Sequence, residues 1–424
     1  MSNAERLYYK DSFLNSFPAV VTDVRQLASS QGESVWQLAF DPTAFYPDSG
    51  GQPCDIGLIR ATSPGGVGLE IPVESVEEDE HGQIWHTVRK PLSAGTHIEG
   101  EIAWDRRFDH MQQHTGQHLL SAIFLRELNA PTVSFHLGDS SSTIDLAGTP
   151  LAHHSLERIE QLVNEQIAED RAVSLRYVSR SEAESMVATG ALRKLPDRSG
   201  DIRLVEIAGI ESNACGGTHV RSTGQIGGLL LRGTEKVSRG VRVEFVCGLR
   251  AVRTARADAA ILEKATASLS VGAPDIPAAI ERLKTEAKSS AKERMDLREQ
   301  LADYHAARLA VEVQITGGLR LVDRVWKDRD ASYVKLLATR LTTAAPSSVA
   351  IFCSEDGGKA SVFFARSLDL NFDCGRILKD ALAQLGLRGG GSADLAQGEV
   401  PPEQAQALRA SLAGAVRAAA TKTP

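Results

Sequence analysis

A multidomain α+β chain is what these 424 residues predict, and three features of the sequence predict it. The first hundred residues carry only short β-prone runs between turn residues. A histidine-bearing helix then opens a stretch of mixed strands and helices. An Ala-, Lys-, Glu- and Arg-rich segment separates that stretch from a second alternation of strands and helices. The expected order is a small N-terminal β-barrel over 1–100, an α+β metal-binding domain over 101–250, a long coiled-coil-like helical linker over 251–310 and a C-terminal α/β domain over 311–424.

In the N-terminal region, 18–24, 35–40, 66–72 and 83–88 read as strands, because Gly, Pro and Asp turn signals separate them. The next element is a helix around 111–124. Its Leu119, Leu120, Ile123 and Phe124 recur at helical spacing, so His114 and His118, four residues apart, share one face. Strands at 141–146, 173–177, 202–207 and 241–246 then alternate with helices at 156–169 and 180–189. Between 257 and 310, Ile276, Ile280, Leu283, Ala287, Leu297, Leu301 and Tyr304 fall on a 3,4 spacing, which predicts a long helix with an apolar stripe. Ser290 and Arg294 interrupt that stripe, so a hairpin with a helix at 252–269 and a homodimer seam both stay open. The last region offers strands at 319–325, 349–353 and 360–365 and helices at 331–341 and 376–385. Within its glycine-rich 386–392, Gly389 to Gly391 read as a flexible loop or as an anion-binding nest of backbone amides.

Composition excludes some classes. Hydrophobic residues at 42% and charged residues at 24% suit a soluble globular chain, and no apolar run approaches the roughly 20 residues that span a bilayer. No membrane partner is expected. The N-terminus lacks a charged segment followed by an apolar core, and the five cysteines have no framework spacing, so a reducing, cytoplasmic setting is expected. A net charge of −7 argues against non-specific nucleic-acid binding. It leaves room for a local basic face, for which Arg232, Lys236, Arg239, Arg242, Arg250, Arg253 and Arg256 form a positively biased run.

The strongest chemical signal is a pair of clusters, His114-Thr-Gly-Gln-His118 and Cys215-Gly-Gly-Thr-His219. Together they supply four soft-to-borderline ligands, the set that suits one tetrahedral Zn2+ per chain. Gly216 and Gly217 permit a tight turn close to an ion, and Cys215 would bind as the thiolate. His110 stands one turn before His114 and reads as a supporting or nucleic-acid contact rather than a further ligand.

The stretch from Trp104 to Leu120, taken with Cys215 to Val220, resembles the editing domain of alanyl-tRNA synthetase and its free-standing relatives, the AlaX alanyl-tRNA editing proteins in their long form. Leu7-Tyr-Tyr and the loop from Phe45 to Gly57 are similar to the barrel that precedes that domain. Ser134 to Gly138 and Ser142 to Leu146 are similar to its pocket-facing strands. Phe372 to Asp380 and Gly389 to Gln397 resemble the C-terminal DHH-associated domain. One departure falls at Ser392 to Asp394, where the family would carry a basic residue and proline. There is no Asp-His-His motif, which Asp109-His-Met only approximates, and this weakens a phosphoesterase reading.

The resemblance implies a trans-editing hydrolase that cleaves the aminoacyl ester of mischarged tRNA(Ala), of Ser-tRNA(Ala) first and Gly-tRNA(Ala) second. A pocket sized for alanine rejects such neighbours by only about 1–3 kcal/mol, so a second site that accepts a serine hydroxyl is needed. Ser134, Ser142 and Thr143 are the candidates for that hydroxyl. Gly50, Gly51 and Gln52 are candidates for substrate contact or for an ordinary turn, and Arg232, Lys236, Arg239 and Arg242 for tRNA contact. No catalytic side chain is assigned, and whether zinc activates water or orients the substrate stays open. The alternatives are a non-catalytic zinc-stabilised tRNA-binding module and a threonyl-type or other zinc-dependent ester hydrolase.

Overall fold

Phe17, Ala19 and Val21 face inward while the residues between them face out, and this period of two sets the first sheet of the computed structural model. The structure describes residues 4–27, 34–62, 66, 68–148, 152–193, 195, 200–238, 240–327, 329–356 and 358–420. It divides into two units, Met1–Lys264 and Ala265–Pro424.

The first sheet holds β1 (Ser16–Leu27), β2 (Val35–Asp41), β3 (Gly57–Thr62), β4 (Gly68–Val73), β5 (Ser75–Glu78), β6 (Ile84–Val88) and β7 (His97–Ile102). All neighbours pair antiparallel in the order β4-β3-β7-β1-β2-β6-β5. The sheet expected to close as a barrel thus has β4 and β5 at the ends of its pairing order. It curls so that Phe17, Leu38, Phe40, Ile59, Ile71, Val76 and Ile84 share one core. Strands β3, β5 and β7, absent from the sequence reading, complete it.

The second layer begins with α1 (Trp104–Leu128). Beyond it come β8 (Thr132–Leu137), β9 (Ser142–Ala147), α2 (His153–Ala168), β10 (Val173–Val178), α3 (Arg180–Ala188), β11 (Ile202–Ile207), β12 (Glu211–Ala214), β13 (Leu229–Val237), β14 (Gly240–Cys247) and α4 (Gly248–Leu269). The strands make two antiparallel sheets, β13-β14-β9-β8 and β10-β11-β12. Met111, Leu119, Leu120, Ile123 and Phe124 of α1 pack against Ile144 and Leu146 of β9 and Val243 and Phe245 of β14. Burial of each such side chain contributes about 1.5–3 kcal/mol. Gly116 sets the depth of that packing, since a Cβ there would lie 2.3 Å from Cys247 Sγ. Gln113 locks the same contact, donating to the Cys247 carbonyl at 3.0 Å and accepting from its amide at 2.8 Å.

α1 is tied to the first sheet by Arg107 and Asp55, both fully buried and joined side chain to side chain. Arg107 also donates to the carbonyls of Ser12 at 2.9 Å and Ala44 at 2.6 Å, and Asp55 accepts from the Tyr46 amide at 2.6 Å. Every strong donor at this junction has an acceptor, which is what makes a buried charge tolerable.

The second unit carries α5 (Ile276–Glu312), β15 (Arg320–Trp326), α6 (Ala331–Ala344), β16 (Ser348–Asp356), β17 (Lys359–Arg366), α7 (Cys374–Gln384), β18 (Gly389–Gly391), β19 (Leu395–Val400) and α8 (Pro402–Ala420). Its sheet runs β15-β16-β17-β19-β18, with only the β15/β16 pair parallel. The apolar stripe expected on α5 is not its packed face. Leu283, Leu297, Leu301 and Tyr304 are exposed, whereas Ala302, Ala306 and Leu309 join the core with α6, because the small alanines let the helix approach closely. The glycines of 389–391 form neither loop nor nest. They pair with β19 and lie under α7, where a Cβ on Gly389 would meet Leu382 at 2.3 Å. Among the described residues no helix is long and apolar enough to cross a membrane.

Candidate metal centre and its cleft

The helical period of α1 brings His114 and His118 to one face, and the loop after β12 brings Cys215 and His219 to meet them. Their ligand atoms all lie within 4.8 Å of one another, and no other such group occurs among the described residues. Cys215 Sγ is 3.4 Å from His114 Nε2 and 3.3 Å from His219 Nε2. A tetrahedral ion with bonds of about 2.3 Å to sulfur and about 2.0 Å to nitrogen sets neighbouring ligand atoms about 3.5 Å apart, so the donor set fits one.

The other nitrogen of each imidazole is held in place. His114 Nδ1 donates to Gln52 Oε1 at 2.8 Å, His219 Nδ1 to Thr115 Oγ1 at 3.1 Å and His118 Nδ1 to Glu211 Oε1 at 3.1 Å. Each bond orients its ring so that Nε2 faces the common point and, once deprotonated, could serve as a ligand. The anchors are themselves anchored. Gln52 Nε2 donates to Thr218 Oγ1 at 2.9 Å, and Arg193 donates to Glu211 at 3.0 Å. Gly217 is required for closeness, since a Cβ there would sit 2.2 Å from His114 Cε1.

The electrostatics ask for a cation. Burial opposes ionisation of Cys215, yet the His114 and His219 imidazoles outweigh it and hold the thiol well below its ordinary range. Burial likewise opposes charging His118, but its bonds to Cys215 and Glu211 push it up to about 10. His219, with burial dominant, is pulled down to about 3. Thiolate and carboxylate therefore flank a point that takes either a proton or a metal ion.

A cleft of about 510 Å³ opens over the cluster, lined by His114, His118 and Cys215 below and by Tyr46, Gly50, Gln117, Thr132, Ser134 and Phe135 around. Ser134 Oγ donates to Asp145 at 2.7 Å and Thr132 Oγ1 to Ser121 Oγ at 2.7 Å. Having donated, both present lone pairs. Gly51 and Gln52 do not line the cleft. Gly51 accepts from the Leu137 amide at 3.0 Å and lies under Phe135, while Gln52 grips His114.

Two hydroxyls expected at the cleft are elsewhere. In β9 alternate residues face the core, so Ser142 is buried opposite Leu137, and Thr143 points to the other side. His110 is also buried, one turn away from the cluster, with Nε2 3.8 Å from Asp139 and burial pulling it down to about 4. In the basic run, Arg232 pairs with Asp258, Arg242 with Asp145 and Arg250 with Asp109. Lys236, Arg253 and Arg256 are exposed, and Arg239 lies outside the described residues. The sequence reading missed Glu211, Gln117 and Thr132. A signal existed for Glu211, an acid four residues before Cys215 on the strand that enters the ligand loop.

Comparison with known proteins gives this arrangement a family. The threonyl and alanyl tRNA synthetase second additional domain matches residues 202–243, and the DHHA1 domain matches 321–418. Alanyl-tRNA editing protein AlaX-L of Pyrococcus horikoshii is 30% identical over 413 residues, which cover 94% of this chain and 96% of the relative. Alanyl-tRNA editing protein Aarsd1 of Rattus norvegicus is 31% identical over 310 residues, covering 73% of this chain and 72% of its own. Alanine–tRNA ligase of Pyrococcus abyssi is 31% identical over 409 residues, 93% of this chain but 42% of the ligase, so the chain spans less than half of the ligase. End-to-end similarity to AlaX-L, with both halves matched in order, places this chain in the AlaX family of alanyl-tRNA editing proteins.

Proposed function

We propose that the protein is a trans-editing hydrolase that removes the amino acid from mischarged tRNA(Ala), with Ser-tRNA(Ala) as its first substrate and Gly-tRNA(Ala) as its second. The observation that carries this reading is the convergence of His114, His118, Cys215 and His219 at a polar cleft whose floor the first three line, in a chain similar throughout to an alanyl-tRNA editing protein. In this reading the four residues hold one zinc ion. Zinc held by these four residues would supply positive charge that draws and orients the ester carbonyl.

The chain's own groups do the rest. Gln52, Thr115 and Glu211 keep the imidazoles aimed while the substrate is bound. Phe135 and Val133 on β8 form the apolar side of the cleft and limit water there. Gln117 and Thr132, which line the same cleft as His118, would position the attacking water. Selection between amino acids falls to Ser134 and Thr132. Their lone pairs accept a serine hydroxyl, or a water in the space a glycine leaves, whereas an alanine methyl fills that space and leaves them facing apolar surface, a difference worth up to about 10⁴-fold against serine. Exposed Lys236, Arg253 and Arg256 are left to meet the tRNA backbone.

The test is hydrolysis of Ser-, Gly- and Ala-tRNA(Ala) at equal concentration and fixed salt. The expected order is serine, then glycine, with alanine spared. Equal rates on all three, or release from none, would overturn the reading.

A further inference from the structure

Strand β8 is an edge strand that pairs with β9, and its ladder slips once. Thr132 lies opposite Leu146 and Ser134 opposite Asp145, so Val133 between them has no place in the ladder and stands 63% exposed. Without this bulge Val133 would lie beside Asp145. With it Ser134 does, the kind of re-aiming for which bulges beside functional sites are known. The row continues onto β14, where Arg242 lies opposite Asp145. Ser134, Asp145 and Arg242 therefore stand side by side across three strands, on the face of β9 turned away from the core.

Hydrogen bonding along this row runs in one direction. Arg242 Nε donates to Asp145 Oδ1 at 2.7 Å and Nη2 to Oδ2 at 3.0 Å, and Ser134 Oγ donates to Oδ2 at 2.7 Å. The Arg242 bonds hold the Asp145 carboxyl below its usual range, so it stays a carboxylate with no proton to give. The single hydroxyl proton of Ser134 is thereby committed to Asp145. Thr132, the other hydroxyl of the cleft wall, differs. Its partner Ser121 is itself a hydroxyl, so that bond of 2.7 Å can run either way. Of the two, Ser134 alone meets the cleft as an acceptor of fixed orientation, and donating to a carboxylate makes its oxygen the stronger acceptor.

We propose that Asp145, which does not itself line the cleft, is a positioning residue for amino-acid selection: it holds Ser134 with its lone pairs toward the substrate side chain, so that a serine hydroxyl meets a prepared acceptor. The proposal rests on the reading of Ser134 as an acceptor for that hydroxyl. Arg242 is the counter-ion of Asp145, and its loss leaves both the negative charge and the bond from Ser134 in place.

The experiment uses the zinc-loaded, full-length protein and two probes that ester hydrolysis cannot cleave, the seryl and glycyl amides of 3′-amino-3′-deoxyadenosine, with affinities read by calorimetry. Wild type binds the seryl probe more tightly than the glycyl one. Asp145→Val, whose β-branched side chain suits a strand but accepts no hydrogen bond, reduces that preference by about threefold to tenfold, the cost of ordering a side chain that is no longer held, with zinc content unchanged. Asp145→Ala does the same with less bulk. Arg242→Met, which breaks the ion pair but keeps the carboxylate, retains the wild-type preference. In a Ser134→Ala background Asp145→Val has no further effect on the preference. An unchanged preference in both Asp145 variants, an equal loss in Arg242→Met, or an undiminished Asp145 effect in the Ser134→Ala background would each overturn the proposal, the second by showing that the row is only structural. A preference that follows Asp145 in a protein that hydrolyses no aminoacyl-tRNA would uphold the positioning and remove the proposed function instead.

Discussion

Gly217→Ala adds one methyl group to the ligand loop and should cost the protein its metal. The new Cβ would stand 2.2 Å from His114 Cε1, 2.4 Å from His114 Nδ1 and 3.0 Å from Gln52 Oε1. Ordinary carbon contacts begin near 3.5 Å, so the ring must retreat by about 1 Å. Ligand bonds tolerate about 0.2 Å, and His114 would leave the ion's reach as its bond to Gln52 breaks. Loss of an orienting partner alone costs about 10–100-fold in metal affinity, so loss of the ligand as well should reach or pass the top of that range. Overpacking should also lower stability by about 1–3 kcal/mol. The adjacent Gly216→Ala is the control, because its Cβ would meet nothing nearer than Tyr9 Oη at 3.5 Å. Zinc affinity is read by competition with a chromophoric chelator, and stability by urea unfolding. Wild-type affinity in Gly217→Ala, or equal losses in both variants, would refute the reasoning.

Further expectations follow from the same geometry. Glu211→Gln keeps an acceptor for His118 but removes its charge, and zinc affinity should fall by about tenfold, with an unchanged value in the same competition assay counting against the role given to Glu211. In metal-free protein Cys215 is already a thiolate and His118 holds its proton up to about 10, so zinc binding at pH 8 should release about one proton by calorimetry in buffers of different ionisation enthalpy; release of two would contradict this. Because the folded value for His118 is raised, its stabilising contribution to the metal-free protein is complete below its unfolded value and disappears as pH rises toward about 10, which urea midpoints across that range would follow. Arg107→Met strands the Asp55 carboxylate in the interior and should destabilise the first unit by about 3–5 kcal/mol, and a loss under about 1 kcal/mol would mean the junction is wetter than its burial suggests. Thr132→Val or Ser134→Ala should slow Ser-tRNA(Ala) hydrolysis by a factor matching about 1–3 kcal/mol with Gly-tRNA(Ala) little affected, whereas Ser142→Ala should leave that preference alone.

What could be read from the sequence was local. His114 and His118 share a face because of the helical period, and Cys215 and His219 share a turn because of Gly216 and Gly217, so the structure had only to bring two prepared pairs together. The anchors Gln52 and Glu211 lie 62 and 93 positions from the histidines they hold, and no periodicity reports a contact at that distance. Ser142 and Thr143 were misplaced at the cleft because strand register decides which of two adjacent hydroxyls is buried. β8, which forms the cleft wall with Thr132, Ser134 and Phe135, was legible only through the family resemblance of Ser134 to Gly138, and its first residues, Thr132 among them, were not part of that reading. On α5 the apolar spacing is genuine, but packing follows the alanines that permit close approach, and large side chains stay outside. Gly389 to Gly391 shows the same effect in a strand, where glycine is required by the helix above it and not by a turn.

The central claim is that the four converging ligands hold the ion on which editing depends. It is tested most directly by following Ser-tRNA(Ala) hydrolysis through one cycle of chelation and zinc return, with Cys215→Ala beside the wild type. The account predicts activity with one zinc per chain, loss on chelation, recovery on zinc return, and neither zinc nor activity in Cys215→Ala. Hydrolysis that persists undiminished in zinc-free protein, or in Cys215→Ala, would contradict it.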